Sequence, residues 1–578
     1  MSDYIKEYKI WLDNVSEQEK AELVSIKNND SEIQDRFYRA LEFGTGGLRG
    51  VIGIGLNRIN KYIVGQATQG LANQLIKSGG NLKQKVVAIA YDSRNMSPEF
   101  AKEAAVVLAA NGFKAYLFDS LRPTPELSFA VRYLSCAAGI VITASHNPAK
   151  YNGYKVYGPD GSQINPETAD IILSEINKTD IFKDVKRMDF ETAKQSGLIE
   201  IIGNSVDRAY IDCVKEQSVN PELVLEKGVD YTLVYTPLHG SGNLPVRKVL
   251  NETGFKKVIA VSEQELPDGN FPTVKSPNPE EKEGFALAIE YAKKHNADLI
   301  IGTDPDCDRV GIAVRNTNGE YITMTGNQVG VLLTEYIESQ YKIKGIMPKN
   351  GVIVKTIVTS DMVKGICKKY GLELEEVLTG FKFIGEKIFE FEQNKDNENK
   401  TFIFGFEESY GYLKGAYARD KDAVVASMLI AEMALYYKTT QGLTLYEQLQ
   451  NLYEEYGYYA EDLVSVTMEG ATGFESITKI MEKMRSNPPK EIGGAKVRAV
   501  RDYKRAQRKD IISGDMQEIY LPKSDVLYFE LEGGNNFIAR PSGTEPKIKF
   551  YLMCRGKTKQ EAEYMIEKIK NTVKNEIL

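Results

Sequence analysis

A serine beside a histidine stands at the end of a short apolar run in the first third of the chain. Residues 137–142 predict a buried strand that leads into Thr143-Ala144-Ser145-His146-Asn147-Pro148. Because Pro148 cannot continue the strand, the polar residues before it must form a loop. Ligands of open α/β sheets bind at the carboxyl ends of strands. Ser145 is therefore a candidate covalent centre, and on this stretch alone it could serve a hydrolase.

Three aspartates at alternate positions form the second candidate site. Asp304, Asp306 and Asp308 follow a predicted strand at residues 298–301, and Arg309 comes next. Carboxylates this close repel one another unless they share a cation. All donors are hard oxygens, which predicts Mg²⁺ or Mn²⁺ rather than zinc or copper. The glycine and the final glutamate of an EF-hand are absent, and a solvated acidic turn is the alternative.

Two further polar loops follow predicted strands in the second half of the chain. Glu407, Glu408 and Ser409 come after a strand at residues 401–404 and suit sugar hydroxyls. Paired carboxylates also occur in glycoside hydrolases, but adjacent glutamates in one loop point apart. The stretch Arg540-Pro541-Ser542-Gly543-Thr544 supplies a guanidinium, two hydroxyls and backbone amides. That is the chemistry of a phosphate clamp, with a surface turn as the alternative.

A glycine-rich stretch precedes all of these loops. Four glycines fall within residues 44–50, around Arg49. We expect neither helix nor strand there, because ordering glycine costs more conformational entropy than ordering any other residue. The backbone could approach an anion with Arg49 as a further donor, and a flexible turn is the alternative. Lys155 lies ten residues beyond Ser145 and either returns to it or stays solvated.

The chain predicts a repeated α/β scaffold for these loops. Strands alternate with helices in the order 86–90, 98–111, 114–118, 126–134 and 137–142, which indicates a parallel sheet. The same pattern, a strand followed by a polar loop, occurs again at the aspartates and at the glutamates, although the sequence itself shows no clear repeat. We expect three similar α/β domains with mixed or parallel sheets and a C-terminal α+β domain around a central cleft. The expected domains span residues 1–207, 208–322, 323–452 and 453–578.

Several features place the chain without assigning chemistry. Residues 1–40 predict helices packed on the outside of the first domain. The chain contains three histidines, so His239 in the loop at residues 237–242 stands out beside His146. Another loop at residues 267–272 is rich in turn-forming residues.

Composition excludes several classes of protein. The net charge of −7 argues against a nucleic-acid-binding protein, which is usually basic. No apolar run approaches the roughly 18–20 residues that span a bilayer, and the N-terminus lacks a signal-peptide core. The five cysteines are scattered and lack CxxC spacing, which is typical of reduced thiols. We expect a cytoplasmic protein without nucleic-acid or membrane partners.

Taken in order, the loops resemble those of the α-D-phosphohexomutase superfamily of phosphoglucomutases and phosphomannomutases. The chain is most similar to the longer bacterial members. Together with the glycine-rich stretch, four segments match in the family's order, at residues 143–148, 304–309, 405–409 and 540–546. The resemblance implies that Ser145 is phosphorylated and that Ser145, Asp304, Asp306 and Asp308 bind one Mg²⁺ ion per chain.

The resemblance also implies roles for the other polar residues. Near the transferring phosphoryl group it places Arg49, His146, Lys155 and Arg309, and either His146 or Lys155 is the general base. The residues that would bind the sugar and its second phosphate are Thr379, Gly380, Glu407, Ser409, Arg419, Lys421, Arg540, Ser542, Gly543, Thr544 and Lys549.

The implied activity is that of an isomerase that moves phosphate between C1 and C6 of a glucose phosphate. Glucose 1,6-bisphosphate would be the intermediate and activator, and mannose or pentose phosphates are the alternative substrates. The partners would be small sugar phosphates, with the chain a monomer or weak homodimer. Two alternatives lie outside this class. A Mg²⁺-dependent sugar phosphatase needs no separate phosphate clamp, and intact Ser145 with its aspartates argues against a non-catalytic sugar-phosphate-binding protein.

Overall fold

The computed structural model describes residues 3–44, 47–79, 85–393, 400–468, 473–542 and 547–578. Four sheets follow one another along the chain, and each is the centre of one structural unit. Three units are α/β and the fourth is built on an antiparallel sheet, which confirms the predicted fold class. Within these residues, no helix has the length and apolar character needed to cross a membrane.

The first unit begins with the predicted helical arm. Helices α1 (Asp3–Asn14), α2 (Glu17–Ser25) and α3 (Asp30–Phe37) precede the sheet. Trp11 is buried, and its ring meets Phe37, Tyr62 and Phe182 edge to face, which attaches the arm to the rest of the unit. The remaining elements are β1 (Gly47–Val51), α4 (Lys61–Lys77), β2 (Val86–Tyr91), α5 (Ser97–Ala110), β3 (Lys114–Phe118), α6 (Thr124–Tyr133), β4 (Ala138–Ile142), β5 (Tyr151–Tyr157), α7 (Pro166–Asn177), α8 (Phe190–Gln195) and β6 (Ile199–Ile202).

The first sheet is mixed. Its order is β1-β5-β4-β2-β3-β6. Strands β4, β2, β3 and β6 are parallel, whereas β5 runs antiparallel to both β4 and β1. The parallel strands β2 and β4 are almost completely buried, as strands covered on both faces by helices must be.

The glycine-rich stretch corrects the prediction that it forms neither helix nor strand. Gly47–Val51 is strand β1, which pairs with β5 from Gly47 opposite Lys155 to Val51 opposite Tyr151. A Cβ on Gly47 would lie 2.3 Å from the carbonyl oxygen of Tyr154, so glycine permits the close approach of the two strands. Pairing with a distant strand outweighs the weak local propensity.

The second and third units repeat one plan. The second contains α9 (Asn204–Lys215), α10 (Pro221–Lys227), β7 (Thr232–Thr236), α11 (Asn243–Thr253), β8 (Lys257–Ala260), α12 (Ser262–Glu265), α13 (Ala286–His295), β9 (Leu299–Thr303), β10 (Val310–Arg315) and β11 (Tyr321–Met324). The third contains α14 (Gly326–Lys344), β12 (Gly351–Thr356), α15 (Met362–Tyr370), β13 (Glu373–Val377), α16 (Phe381–Gln393), β14 (Thr401–Glu407), β15 (Gly411–Lys414), α17 (Ala423–Gln441) and α18 (Leu445–Tyr456). The sheet orders are β11-β10-β9-β7-β8 and β13-β12-β14-β15, and in each an antiparallel strand follows the parallel ones.

The fourth unit is antiparallel and lies against the third. It contains β16 (Tyr458–Thr467), α19 (Gly473–Ser486), β17 (Glu491–Ile492), β18 (Ala495–Asp502), β19 (Gln507–Asp510), β20 (Met516–Glu518), β21 (Leu527–Leu531), β22 (Asn536–Pro541), β23 (Lys547–Gly556) and α20 (Lys559–Thr572). One face of its sheet packs against α19 and α20. On the other face, Tyr528 and Tyr551 join a cluster with Ile357 and Val358 of the third unit.

Candidate active site

A cleft of about 1250 Å³ is lined by residues of all four units. The predicted site residues that line it are Arg49, Ser145, His146, Lys155, Asp308, Arg309, Thr379, Gly380, Glu407, Ser409, Lys421, Arg540, Ser542 and Lys549. Asp304 and Asp306 are buried at the edge of the cleft, in contact with Ser145 and Lys155 respectively. Gly543 and Thr544 lie outside the described residues.

Three of the loops share one construction. Each connects a parallel strand to an antiparallel neighbour, from β4 to β5, from β9 to β10 and from β14 to β15. Each also contains a non-glycine residue with left-handed backbone, namely Ser145 (φ 50°), Cys307 (φ 52°) and Tyr410 (φ 64°). Such a conformation costs free energy and persists only where the surroundings impose it. Each polar loop that the sequence predicted after an apolar strand is therefore part of a hairpin, which its contacts hold in one conformation.

The loop that carries Ser145 is held by a buried arginine that was not among the predicted site residues. Arg94 is 1% exposed, and its guanidinium donates to four carbonyl oxygens. They belong to Ser145, Asn147, Pro148 (3.0 Å) and Tyr151 (3.1 Å). Arg94 follows strand β2 in the polar run Tyr91-Asp92-Ser93-Arg94, so the signal that marked the other loops was also present here.

The amide of Ser145 is fixed by a second buried group. Asp92 accepts a hydrogen bond from the hydroxyl of Thr143 at 2.6 Å, and that hydroxyl accepts from the Ser145 amide at 2.8 Å. Burial raises the pKa of Asp92, an effect that Arg94 opposes. Burial also lowers the pKa of Arg94. This ion pair is desolvated, because neither side chain is accessible to solvent.

The Ser145 hydroxyl faces both an acid and a candidate base. Its Oγ donates to Oδ2 of Asp304 at 2.7 Å and lies 3.2 Å from Nδ1 of His146. Burial lowers the pKa of His146 well below its ordinary value, and the nearby cations Arg309 and Arg49 lower it further. The imidazole is therefore neutral near pH 7 and able to accept a proton.

The three aspartates fit a cation. They are buried, and one carboxylate oxygen from each lies within 4.8 Å of the other two. Among the described residues, Oδ1 of Asp306 and Oδ1 of Asp308 have no hydrogen-bond partner. Buried carboxylate oxygens without partners are costly, and a hard divalent cation would satisfy them. The cluster could therefore hold a metal ion.

Two lysines from neighbouring units contact the aspartates. Nζ of Lys155 in the first unit lies 3.1 Å from Asp306, and Nζ of Lys421 in the third lies 2.9 Å from Asp308. Burial and the charges of Asp306 and Asp308 raise the pKa of Asp304 well above its usual range. Burial alone would raise the pKa of Asp306 too, but Lys155 and a hydrogen bond from Asp304 hold it low. The two lysines thus bring positive charge to the acidic cluster from both neighbouring units.

The two adjacent glutamates, Glu407 and Glu408, have different neighbours. Burial raises the pKa of Glu407, while Lys421 and Arg309 oppose that rise. Glu408 instead accepts from Oγ1 of Thr356 at 3.1 Å, and burial together with Glu407 raises its pKa to about 7. The pair does not converge on one atom, which argues against a glycosidase arrangement.

The cations near Glu407 are held by partners that the sequence did not identify. Nη1 of Arg309 donates to Oε1 of Glu280 at 2.5 Å. The loop of Lys421 is anchored by the Tyr157 hydroxyl, which donates to Asp420 at 2.6 Å. These pairs join residues far apart in the chain, and no local pattern could reveal them.

Arg419 corrects one sequence-based assignment. It is fully buried, and its guanidinium contacts Glu392 and the carbonyl oxygens of Ala416 and Ala418 rather than the cleft. Arg419 lies two positions before Lys421, so the turn of the loop sends one cation inward and the other to the cleft. We therefore assign Arg419 to the structure of the loop and not to sugar binding.

The fourth unit presents two cations side by side. Arg540 on β22 is directly opposite Lys549 on β23, and burial together with Arg540 lowers the pKa of Lys549. Like charges at directly opposed positions destabilise a sheet unless an anion lies between them. The amide of Ser542 donates to the carbonyl oxygen of Lys547 at 2.7 Å and closes the strand pair beside them. The surface is suited to a phosphate group.

Several known proteins are similar to this chain over most of its length. The descriptions "Phosphoglucomutase/phosphomannomutase, alpha/beta/alpha domain I", "domain II" and "domain III" match residues 40–182, 208–319 and 325–456. The phosphoglucomutase of Staphylococcus aureus (strain USA300) is 39% identical over 531 residues, which are 92% of each chain. The chain belongs to the phosphoglucomutase/phosphomannomutase family. The phosphoglucomutase of Staphylococcus epidermidis is 37% identical over 544 residues, 94% of this chain and 95% of that one.

Solved structures of more distant members of the family share the fold. The open form of the Paramecium phosphoprotein pp63/parafusin has a TM-score of 0.67 at 16% identity and covers 93% of this chain and 94% of its own. A putative phosphomannomutase from Thermus thermophilus has a TM-score of 0.66 at 21% identity, covering 93% and 99%. Family membership thus confirms the resemblance drawn from the loops, while the roles of the individual residues stay predictions.

Proposed function

We propose that this protein is a phosphoglucomutase that interconverts α-D-glucose 1-phosphate and glucose 6-phosphate. One observation supports the proposal, namely that the cleft has a serine beside a buried acidic cluster in one part and two adjacent cationic side chains in another. Ser145 and the acidic cluster lie in the first and second units, and Arg540 with Lys549 lies in the fourth. A mutase must hold one phosphate while the other reacts, and the Staphylococcus relatives carry that name.

In the first half of the reaction, Ser145 would carry the phosphoryl group and transfer it to a sugar hydroxyl. A Mg²⁺ ion bound to Ser145, Asp304, Asp306 and Asp308 would stabilise the charge of the transferring group as a Lewis acid. Arg49, Arg309 and Lys155 line the same part of the cleft and would offset the remaining negative charge.

The receiving hydroxyl needs a group that takes its proton. Neutral His146 can accept one as it stands, 3.2 Å from Oγ of Ser145. Lys155, whose Nζ contacts Asp306, is the other candidate. Both stay candidates, and the pH dependence of kcat in His146→Gln and Lys155→Met distinguishes them. Loss of the acidic limb of the profile, where protonation of the base lowers kcat, in one variant alone would identify the base.

In the second half, glucose 1,6-bisphosphate would rotate within the cleft and transfer its other phosphoryl group to Ser145. Thr379, Gly380, Glu407, Ser409 and Lys421 would bind the sugar. The non-reacting phosphate would lie on Arg540, Ser542 and Lys549, and the family resemblance also assigns Gly543 and Thr544 to it. A Mg²⁺-dependent phosphatase would have no need of this second anion site, and mannose or pentose phosphates stay alternative substrates.

Intact-mass spectrometry tests the proposal. After incubation with glucose 1,6-bisphosphate and Mg²⁺, the protein should gain the mass of one phosphate. The Ser145→Ala variant should not gain it, whereas Ser120→Ala, which changes an exposed serine, should behave like the wild type. Turnover of glucose 1-phosphate without any phosphate on Ser145 would contradict the mechanism. A panel of glucose, mannose and ribose 1-phosphates then ranks the substrates by kcat/KM.

A further inference from the structure

A segment of the second unit crosses onto the first unit beside Ser145. In this crossing segment (residues 266–276), Oγ of Ser276 donates to the carbonyl oxygen of His146 at 2.8 Å. Further along, Nδ2 of Asn95 donates to Oδ1 of Asn270 at 2.9 Å. A Cβ on Gly269 would lie 2.4 Å from the backbone nitrogen of Asn95. The segment therefore touches both the Ser145 loop and the loop that carries Arg94.

The crossing segment also covers Arg94 itself. The Phe271 ring is buried, and its centroid lies 5.1 Å from the Arg94 guanidinium carbon. This cation–π contact stabilises the side chain that donates to the carbonyl oxygens of the Ser145 loop. Phe271 has left-handed backbone with φ 48°, a genuine outlier for a bulky residue. Its surroundings must therefore hold the segment in place.

His239 provides that restraint. Its Nδ1 lies 3.1 Å from the carbonyl oxygen of Leu266, and its Nε2 lies 2.9 Å from Oγ1 of Thr273. A carbonyl oxygen only accepts, so Nδ1 donates to Leu266, and Nε2 forms a hydrogen bond with the threonine hydroxyl. That hydroxyl in turn accepts from Nε2 of Gln264 at 3.1 Å. Both ring nitrogens are thus used to tie two points of the crossing segment to one buried side chain.

The loop of His239 also packs against the aspartate loop. Ser241 donates to the carbonyl oxygen of Pro305 twice, from its amide at 2.8 Å and from its hydroxyl at 2.9 Å. A Cβ on Gly240 would lie 2.5 Å from the Cα of Pro305. His239 itself has left-handed backbone with φ 61°. The residue therefore lies between Pro305, which separates two of the aspartates, and the segment that contacts the Ser145 loop.

We propose that the crossing segment is a clamp that keeps the Ser145 loop in place relative to the aspartate loop, and that His239 is its positioning residue. His239 contacts neither Ser145 nor an aspartate. It acts through Thr273 and Leu266 on the clamp, and through its neighbours Gly240 and Ser241 on Pro305. This assigns a role to both turn-rich loops at residues 237–242 and 267–272. The kinetic consequence rests on the proposed function, but the structural one does not.

Hydrogen exchange of Thr273→Val tests the clamp without any assay of activity. Valine keeps the shape of threonine and removes the hydroxyl that joins His239 to Gln264. Amides of residues 266–276 and of 143–151 should exchange about tenfold faster, the effect of one lost hydrogen bond to a buried partner. Thr273→Ser should restore slow exchange, and Lys275→Ala, on an exposed side chain, should leave it unchanged. Faster exchange in residues 266–276 alone would refute the clamp.

Kinetics then separate positioning from a merely structural role. In Thr273→Val, kcat for glucose 1-phosphate should fall about tenfold while KM stays within about twofold, because the clamp touches neither the sugar loop nor the fourth unit. A merely structural residue would lower the thermal midpoint and leave kcat per phosphorylatable Ser145 unchanged, and that result would refute the positioning role. If the wild type turns over no sugar phosphate, the proposed function fails while hydrogen exchange still decides on the clamp. His239→Asn, which tolerates left-handed backbone, should reproduce Thr273→Val in both measurements.

Discussion

The buried pair of Asp92 and Arg94 offers a sharp test of how Ser145 is oriented. Both side chains are completely inaccessible to solvent, and Nε of Arg94 lies 3.4 Å from Oδ2 of Asp92. The substitution Asp92→Asn keeps the shape of the side chain and removes its charge. Arg94 would then be a buried cation without its counterion, and the Thr143 hydroxyl would lose the acceptor that orients it.

The size of the effect follows from the contacts of Asp92. Its Oδ1 accepts from the amide of Arg94 at 2.9 Å and from Oγ of Ser97 at 2.8 Å, while Oδ2 accepts from Thr143. An asparagine has one acceptor oxygen, so its amide group must face donors on one side. Removal of one partner from a buried pair costs about 3–5 kcal/mol. Because carbonyl oxygens of the Ser145 loop still accept from Arg94, we expect the lower end, about 3 kcal/mol.

The effect of Asp92→Asn on Ser145 distinguishes orientation of the serine from a loss of stability alone. If the asparagine amide faces Thr143, that hydroxyl can no longer donate to residue 92 and must reorient, which disturbs its hydrogen bond with the Ser145 amide. We expect kcat to fall at least about tenfold with the protein still folded, since misplacement of a reacting group is costly.

Thermal unfolding and kinetics, measured on the same preparations, check this prediction. Asp119→Asn is the matched control, because Asp119 also bonds to an arginine, Arg122, but its side chain is 49% exposed. The control should lose no more than about 1 kcal/mol and keep its kcat. If Asp92→Asn behaves like this control in both measurements, the buried pair does not orient Ser145.

Three further substitutions have expected outcomes. Burial raises the pKa of Glu338 from 4.5 to about 8, so the free energy of unfolding of the wild type should decline as pH rises from about 5 to about 8. The decline is worth up to about 5 kcal/mol. Thermal unfolding of Glu338→Gln across that pH range should show no such decline. In Gly330→Ala the new Cβ would lie 2.0 Å from the ring of Phe406, next to the sugar loop, so KM for glucose 1-phosphate should rise several-fold; an unchanged KM with lower stability would contradict this. Tyr157→Phe removes the 2.6 Å bond to Asp420 and should cost about 1.5–3 kcal/mol of local stability in hydrogen exchange of residues 419–422, and an unchanged exchange rate would show that the loop needs no anchor.

Local pattern predicted most of the scaffold. The strand expected at residues 114–118 is found as β3 with the same limits, because an apolar run bounded by polar residues contains both signals that define a buried strand. The glycine-rich strand β1 was missed for the opposite reason. Its stability comes from pairing with β5, about a hundred residues away, and no local propensity reports that.

The candidate site divides in the same way. Ser145 and the three aspartates were visible because each group is contiguous in the sequence and follows a strand. Arg94 was not singled out, since its role depends on carbonyl oxygens in a loop about fifty residues later. Arg419 was misassigned because sequence shows that a cation is near a loop but not which way its side chain points.

The aspartate loop explains why assembly of the site and docking of the first three units are coupled. Its backbone is bonded from both sides, since the carbonyl oxygen of Asp306 accepts from the Thr124 amide of the first unit at 2.8 Å, and that of Cys307 accepts from the Ala423 amide of the third at 3.2 Å. Its charge is balanced from the same two sides by the lysines of the neighbouring units. Each neighbouring unit thus contributes both a backbone amide and a lysine side chain to the aspartate loop, so the backbone of the loop is bonded and its charge offset where the three units meet.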